Sequence, residues 1–175
     1  MERKKFFPFT ENVIFFDAEF STNDPYTSQL LSVGFVKLNG EELYLELNYS
    51  GEVSDWVKNN ILHTLNDEKI DRKEAIEKIK NFAGDDKPYL ISYVYLYDVI
   101  NLHKLFESKS IKALPFNWLP IDLASIVFSM GYDPMIIKNE AFLADLGIDT
   151  KQYKHSHNSL DDAKLLKEVY LKLSS

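Results

Sequence analysis

The sequence predicts an α/β protein, a mixed sheet of five strands flanked by helices. Three observations carry that expectation. The apolar run 13–16 is rich in strand formers and reads as a strand buried on both faces. Two further strand-forming runs, 30–38 and 43–49, are joined by Asn39-Gly40, the strongest short hairpin signal. Beyond residue 54 the apolar spacing changes from the period of a strand to that of a helix, and helices then alternate with short strands. An antiparallel meander followed by alternating elements gives a mixed sheet with helices packed on it.

Each element follows in order. The first strand ends in Asp17-Ala18-Glu19-Phe20. Ser54 is an N-cap for a helix carrying Trp56, Val57, Asn60 and Ile61. Asp71 opens a second helix, with Ala75, Ile76, Ile79 and Phe82 at helical spacing. The run 88–94 is a fourth strand, and a helix follows over 97–106. Residues 116–119 form a short fifth strand before a helix over 122–130. A short helix over 140–146 is stopped by Gly147, and the last helix covers 159–173. No repeat, low-complexity tract or linker interrupts the chain, so a single domain over 1–175 is expected.

Composition narrows the function classes. The 175 residues are 45% hydrophobic and 27% charged, with no cysteine, which excludes disulfides and thiolate metal sites. No apolar run approaches the roughly 18 residues of a membrane span. The basic and then apolar N-terminus runs straight into Asp17 and Glu19 without a small-residue cleavage site, so no signal peptide is expected and a cytoplasmic location is. A net charge of −7 argues against a protein that grips nucleic acid by a basic surface. It does not argue against an enzyme whose carboxylates bind divalent cations, because each ion reverses the local sign.

Four carboxylates and a histidine stand out. Asp17 and Glu19 are i and i+2 on a strand, so their side chains emerge on one face. Two adjacent anions there repel unless a cation compensates; alternatively the strand has ended and both are solvated. Asp98 projects into the apolar stripe of its helix, among Val99, Leu102 and Leu105. A first-turn acid suits the helix dipole, which explains an aspartate there but not its inward face. In His157-Asn-Ser-Leu-Asp161-Asp162, Asp161 groups with Lys164, Glu168 and Lys172 on the solvated face. Asp162 groups with Leu166, Val169 and Leu173 on the apolar face. Ser159-x-x-Asp162 also fits a capping box, which would make Asp162 structural. Buried carboxylates need partners, and a shared metal site would serve Asp17, Glu19, Asp98 and Asp162 together.

Among the other histidines, His63 and His103 read as surface or packing residues, and His155 competes with His157. Lys151, Lys154 and His155 form a short basic cluster beside the site, and the run Arg3 to Lys5 reads as a solvated end. Phe20, Trp56 and Trp118 could stack on bases, but most aromatics in such a chain are core, and only Phe20 gains from its place beside Glu19, so Trp56 and Trp118 are assigned to packing. No Gly-rich phosphate loop, nucleophile elbow or H-E-x-x-H motif is present.

The series Asp17-x-Glu19, Asp98 and His157-x-x-x-x-Asp162 resembles the DEDDh exonucleases of the DnaQ-like superfamily, which includes oligoribonuclease and ribonuclease T. His157-Asn-Ser-Leu-Asp-Asp-Ala resembles that group's third motif, with Ser159 where Ala is usual. Asp55-Trp56-Val57 and Pro120-Ile121-Asp122-Leu123 resemble its compact single-domain bacterial and phage exoribonucleases. The segment 90–98 departs from the pattern, lacking the Asn and Phe often found before the middle aspartate. The resemblance implies a ribonuclease-H-like fold and 3′–5′ exonuclease activity on single-stranded nucleic acid, RNA more than DNA. It also implies two Mg²⁺ or Mn²⁺ ions about 3.5–4 Å apart, held by Asp17, Glu19, Asp98 and Asp162. His157 would be the general base, the product a nucleoside 5′-monophosphate, and Ala18 and Phe20 would meet the substrate. A homodimer is implied in the same way. From a different class, a non-catalytic module that kept the fold remains open.

Overall fold

A computed structural model describes residues 5–66, 68–110, 112–153 and 155–174. Arg3, Lys4 and Lys154, three of the basic residues named above, lie outside them. The chain runs β1 (Val13–Phe20), β2 (Leu30–Lys37), β3 (Glu42–Leu47), α1 (Asp55–Asn60), β4 (Lys69–Ile70), α2 (Arg72–Ala83), β5 (Tyr89–Ser92), α3 (Leu96–Leu105), β6 (Ile121–Asp122), α4 (Leu123–Ser129), α5 (Glu140–Asp145) and α6 (Ser159–Leu173). The strands form one six-stranded sheet in the order β4-β3-β2-β1-β5-β6. β1, β2 and β3 are antiparallel, whereas β4, β5 and β6 each add in parallel.

The expected meander and mixed sheet are present, with six strands in place of five. β4 and β6 are two residues each, too short for any alternation to announce them. The run 116–119 is not a strand: Phe116 is a core side chain on a loop, 2% exposed, and the fifth-strand position falls at Ile121–Asp122 instead. β1 extends past the apolar run 13–16 to Phe20, and Asp17 and Glu19 lie within it as the i, i+2 reading places them, paired opposite Gly34 and Ser32 of β2.

Because β1 is central, both of its faces are buried, and alternation divides the core in two. Val13 and Phe15 face one cluster, with α4, α5 and α6. Ile14, Phe16 and Ala18 face the other, with α2 and α3. Asp17 and Glu19 continue the α6 face.

α6 can lie against this sheet only because β2 carries Gly34. A Cβ built on Gly34 would stand 2.4 Å from the Leu160 Cα and 2.5 Å from the Leu160 nitrogen. The absence of a side chain lets the first turn of α6 rest on the strand. Ser32 and Ser159 join the same contact, their hydroxyl oxygens 3.1 Å apart and both buried. Ser159 is therefore not the N-cap. Asn158 is, its Oδ1 accepting from the Leu160 and Asp161 amides, and the capping box weighed as the alternative for Asp162 does not form.

Candidate active site

The carboxylates converge where β1 and β5 part. Their pairing ends at Phe15↔Ile91, while β1 continues to Phe20 alongside β2. This leaves an open edge on β1, and α3 comes over it. The Ala18 backbone faces the Asp98 carboxylate there and draws its pKa down, against the burial that raises it. Asp98 is 6% exposed, on the inward face of α3. Asp162 is 7% exposed on α6, whereas Asp161 is exposed.

These groups line one cleft of about 340 Å³. Carboxylate oxygens of Asp17, Glu19 and Asp162 lie within 4.8 Å of one another, and ring nitrogens of His155 and His157 form a second such group with Asp162. Asp98 lines the same cleft but falls outside both groups. Phe20 lines it as well, stacked on Tyr97 at 6.1 Å between ring centroids, and so does Ala18.

The electrostatics are those of crowded anions. Asp17 keeps part of its surface open to the cleft. Desolvation holds its carboxyl well above the ordinary range, reinforced by Asp98, Asp162 and Glu19. Desolvation also raises Asp98, with Glu19 adding to it. Glu19 is raised by burial, against the pull of His157. The neighbouring Glu19 carboxylate in turn lifts the His157 imidazole above its ordinary value, opposed by partial burial. Such a set is mutually destabilising unless protons or cations enter it.

The loop before α6 is organised by Asp162 itself. Its Oδ1 accepts from the Ser156 amide at 2.8 Å, and its Oδ2 from the His157 amide at 3.1 Å. His155 Nδ1 is 2.9 Å from the same Oδ2, and His157 Nδ1 is 3.8 Å from Glu19 Oε1, too long for a hydrogen bond. The two rings meet edge to face at 4.2 Å. His157 adopts φ 56°, a left-handed conformation uncommon outside glycine, and the Thr64 hydroxyl donates to its carbonyl at 2.9 Å. Val94, also in the cleft wall, has φ 56° as well, rarer still for a β-branched residue. Its amide is held by Asp122 Oδ1 at 2.9 Å. Left-handed backbone at two points of one cleft is the kind of local strain that gathers at functional sites.

Several residues here were not among the sequence candidates. Trp56, assigned to packing, is 51% exposed, and its ring meets the His157 imidazole edge to face at 5.1 Å. Tyr93, Tyr97 and Lys138 also line the cleft. Trp56 carried a usable signal: with Ser54 as N-cap, Val57 and Ile61 take the buried face of α1 and leave Trp56 outside it. Tyr93 directly follows β5 and Tyr97 lies in the first turn of α3, 39% exposed, whereas Lys138 ends a 3₁₀ turn without readable periodicity. Trp118 is 49% exposed and outside the cleft. His63 and Lys151 are exposed and also outside it, and His103 is half-buried on α3.

No family model matches the chain, and no curated protein matches it by sequence. Solved structures do resemble it. One is a chain of the zinc-ion-bound complex of Escherichia coli ExoI with single-stranded DNA, at TM-score 0.65 and 12% identity, the match covering 92% of this chain and 39% of that one. Another is a chain from the structure of the yeast NOT1 MIF4G domain co-crystallised with CAF1, at TM-score 0.57 and 14% identity, covering 93% and 78%. The chain thus spans 39% of the length of the ExoI chain. The likeness is one of fold: a ribonuclease-H-like mixed sheet flanked by helices, as the sequence predicts. No helix among the described residues is long and apolar enough to cross a membrane.

Proposed function

We propose that this chain is a metal-dependent 3′–5′ exonuclease domain of the DEDDh kind, acting on single strands and on RNA in preference to DNA. The observation that carries the reading is the convergence of Asp17, Glu19 and Asp162 within 4.8 Å, in a cleft that also holds Asp98 and two imidazoles. The donor set fits divalent cations. It is all carboxylate oxygen, the chemistry that Mg²⁺ and Mn²⁺ prefer, and its repulsion is the kind a cation relieves. Asp17, Glu19, Asp98 and Asp162 would hold the ions, which when bound supply Lewis acidity at the phosphodiester.

The chain's own residues supply the rest. His157 turns Nδ1 towards Glu19, which leaves Nε2 to accept the proton of an attacking water. The Glu19 carboxylate stabilises the imidazolium that results, as its upward pull on that ring indicates. Attack at phosphorus with departure of the 3′-oxygen yields a nucleoside 5′-monophosphate. Phe20, stacked on Tyr97, and the exposed Trp56 offer π faces for bases beside the scissile bond. ExoI, similar in fold, is seen in complex with single-stranded DNA, which supports a single strand as substrate here. The preference for RNA rests on the motif resemblance.

The test is a time course on matched 5′-labelled RNA and DNA single strands with Mg²⁺ or Mn²⁺. A one-nucleotide ladder shortening from the 3′ end, mononucleotide 5′-phosphates as products and arrest by EDTA are expected. Internal cuts, or full activity in EDTA, would overturn the reading; faster cleavage of DNA would overturn only the substrate preference.

A further inference from the structure

An anionic cleft that takes a polyanion needs a positive group that is not consumed by its own carboxylates. Among the described residues lining the cleft, Lys138 is the one Lys or Arg. It ends the 3₁₀ turn Pro134–Lys138, which Asp133 caps by accepting from the Met135 amide at 2.9 Å. Its ammonium lies 5.8 Å above the Tyr93 ring centroid, and the Tyr93 hydroxyl donates back to the Pro134 carbonyl at 3.1 Å. Turn and ring thus hold one another, with the charge at the cleft wall. No carboxylate among the described residues lies within ion-pairing distance of that ammonium. Lys138 is exposed there.

From this geometry we infer that Lys138 is a phosphate-binding residue, contacting a backbone phosphate of the strand that enters the cleft. The inference rests on the exonuclease reading and deepens it by naming a substrate contact. Lysine serves such a role as a compact point charge on a flexible stem, indifferent to base identity. The aromatic ring beneath adds a weak attraction that keeps the charge raised without neutralising it. Lys138 lines the same cleft as Asp17 and His157. A phosphate taken up at Lys138 would therefore lie in the cleft that holds the proposed reacting groups.

The test is equilibrium binding of fluorescein-labelled single-stranded RNA, followed by anisotropy over a range of salt with Ca²⁺ as the divalent ion. Each phosphate contact to a single strand contributes about 0.7 to the slope of log K against log salt. Lys138→Met is expected to reduce that slope by about 0.7, equally for oligo-A and oligo-U, while Lys138→Arg keeps it. An unchanged slope and affinity in Lys138→Met would overturn the inference. So would tighter Mn²⁺ binding in that variant with the slope unchanged, since Lys138 would then serve only the carboxylates. A wild type that binds RNA but never cleaves it would sink the nuclease reading, and the slope would still decide the role of Lys138. A wild type that binds no single strand would overturn both.

Discussion

His155 Nδ1 stands 2.9 Å from Asp162 Oδ2, nearer than His157 comes to its own partner, Glu19. The histidine that the motif spacing favours as base is thus the less tightly held of two neighbours. The looser one has the freer ring to move a proton, while the tighter one is tied to a candidate ligand. His157→Ala is therefore expected to lower kcat by about 10²–10⁴-fold, with Mn²⁺ affinity nearly unchanged. His155→Ala should cost much less, chiefly in KM. Single-turnover rates and calorimetric metal titration on both variants check this; the opposite ranking would put the motif two residues out of register.

The crowded carboxylates make stability fall with rising pH when no cation is bound. Asp17, Asp98 and Glu19 have raised folded-state values, so the folded chain retains protons that the unfolded chain releases. Their favourable contribution is complete below the ordinary carboxylate range, about 4, and is lost as pH climbs towards the raised values. His157, also raised, adds a loss of the same sign as pH passes its folded value. In EDTA, Tm should decline from pH 5 to 7.5, and Mn²⁺ should restore it, more strongly at the higher pH. Asp17→Asn should raise the EDTA value at pH 7.5, by about 2–4 °C for each kcal/mol of repulsion relieved, and abolish turnover. A flat Tm profile in EDTA would contradict the electrostatics.

Gly34 tests the link between packing and site. Any Cβ there meets the α6 backbone at 2.4–2.5 Å, so Gly34→Ala forces the helix outward. Overpacking of this kind costs about 1–3 kcal/mol, readable from urea denaturation. Because Asp162 rides on that helix, Mn²⁺ affinity should fall as well, and turnover with it. Wild-type metal affinity in a destabilised Gly34→Ala would show that α6 can shift without moving its carboxylate.

Thr64 offers a gentler probe of the His157 loop. Its hydroxyl oxygen lies 2.9 Å from the carbonyl oxygens of both His157 and Ile61, with one proton to share between them. Thr64→Val removes the donor with little change of shape, at about 1 kcal/mol in stability. As a positioning residue it should affect kcat rather than KM, and Thr64→Ser should restore the rate. Equal loss in both variants would make its role one of packing alone.

Much of this was legible in the sequence. Alternation and helix projection placed Asp98 and Asp162 inward, and the structure finds both buried. The hairpin at Asn39-Gly40 and the caps at Ser54 and Asp71 are present too; the Gly40 amide donates to the Lys37 carbonyl. What escaped has physical reasons. Two-residue strands have no period. Ser159 looks like a cap until its hydroxyl is seen turned to Ser32, a partner 127 residues away. Lys138 lies on an irregular segment, where only the fold decides what it faces. Gly34 did carry a signal, a glycine inside an apolar strand, but such a glycine names no partner.

The seat of α6 on β2 also governs when the site comes into being. Asp17 is held by a hairpin with Gly34 that local chain closure can form early. Asp162 joins only after the helix beginning at residue 159 docks on that hairpin, which requires a far larger loop to close. During synthesis the proposed ligands on β1 therefore emerge long before Asp162, and a chain lacking its final helix keeps the two strand carboxylates and Asp98 without it. Under the proposed reading strong metal capture would be a late event, and an ion arriving then would lock the docking that created its place.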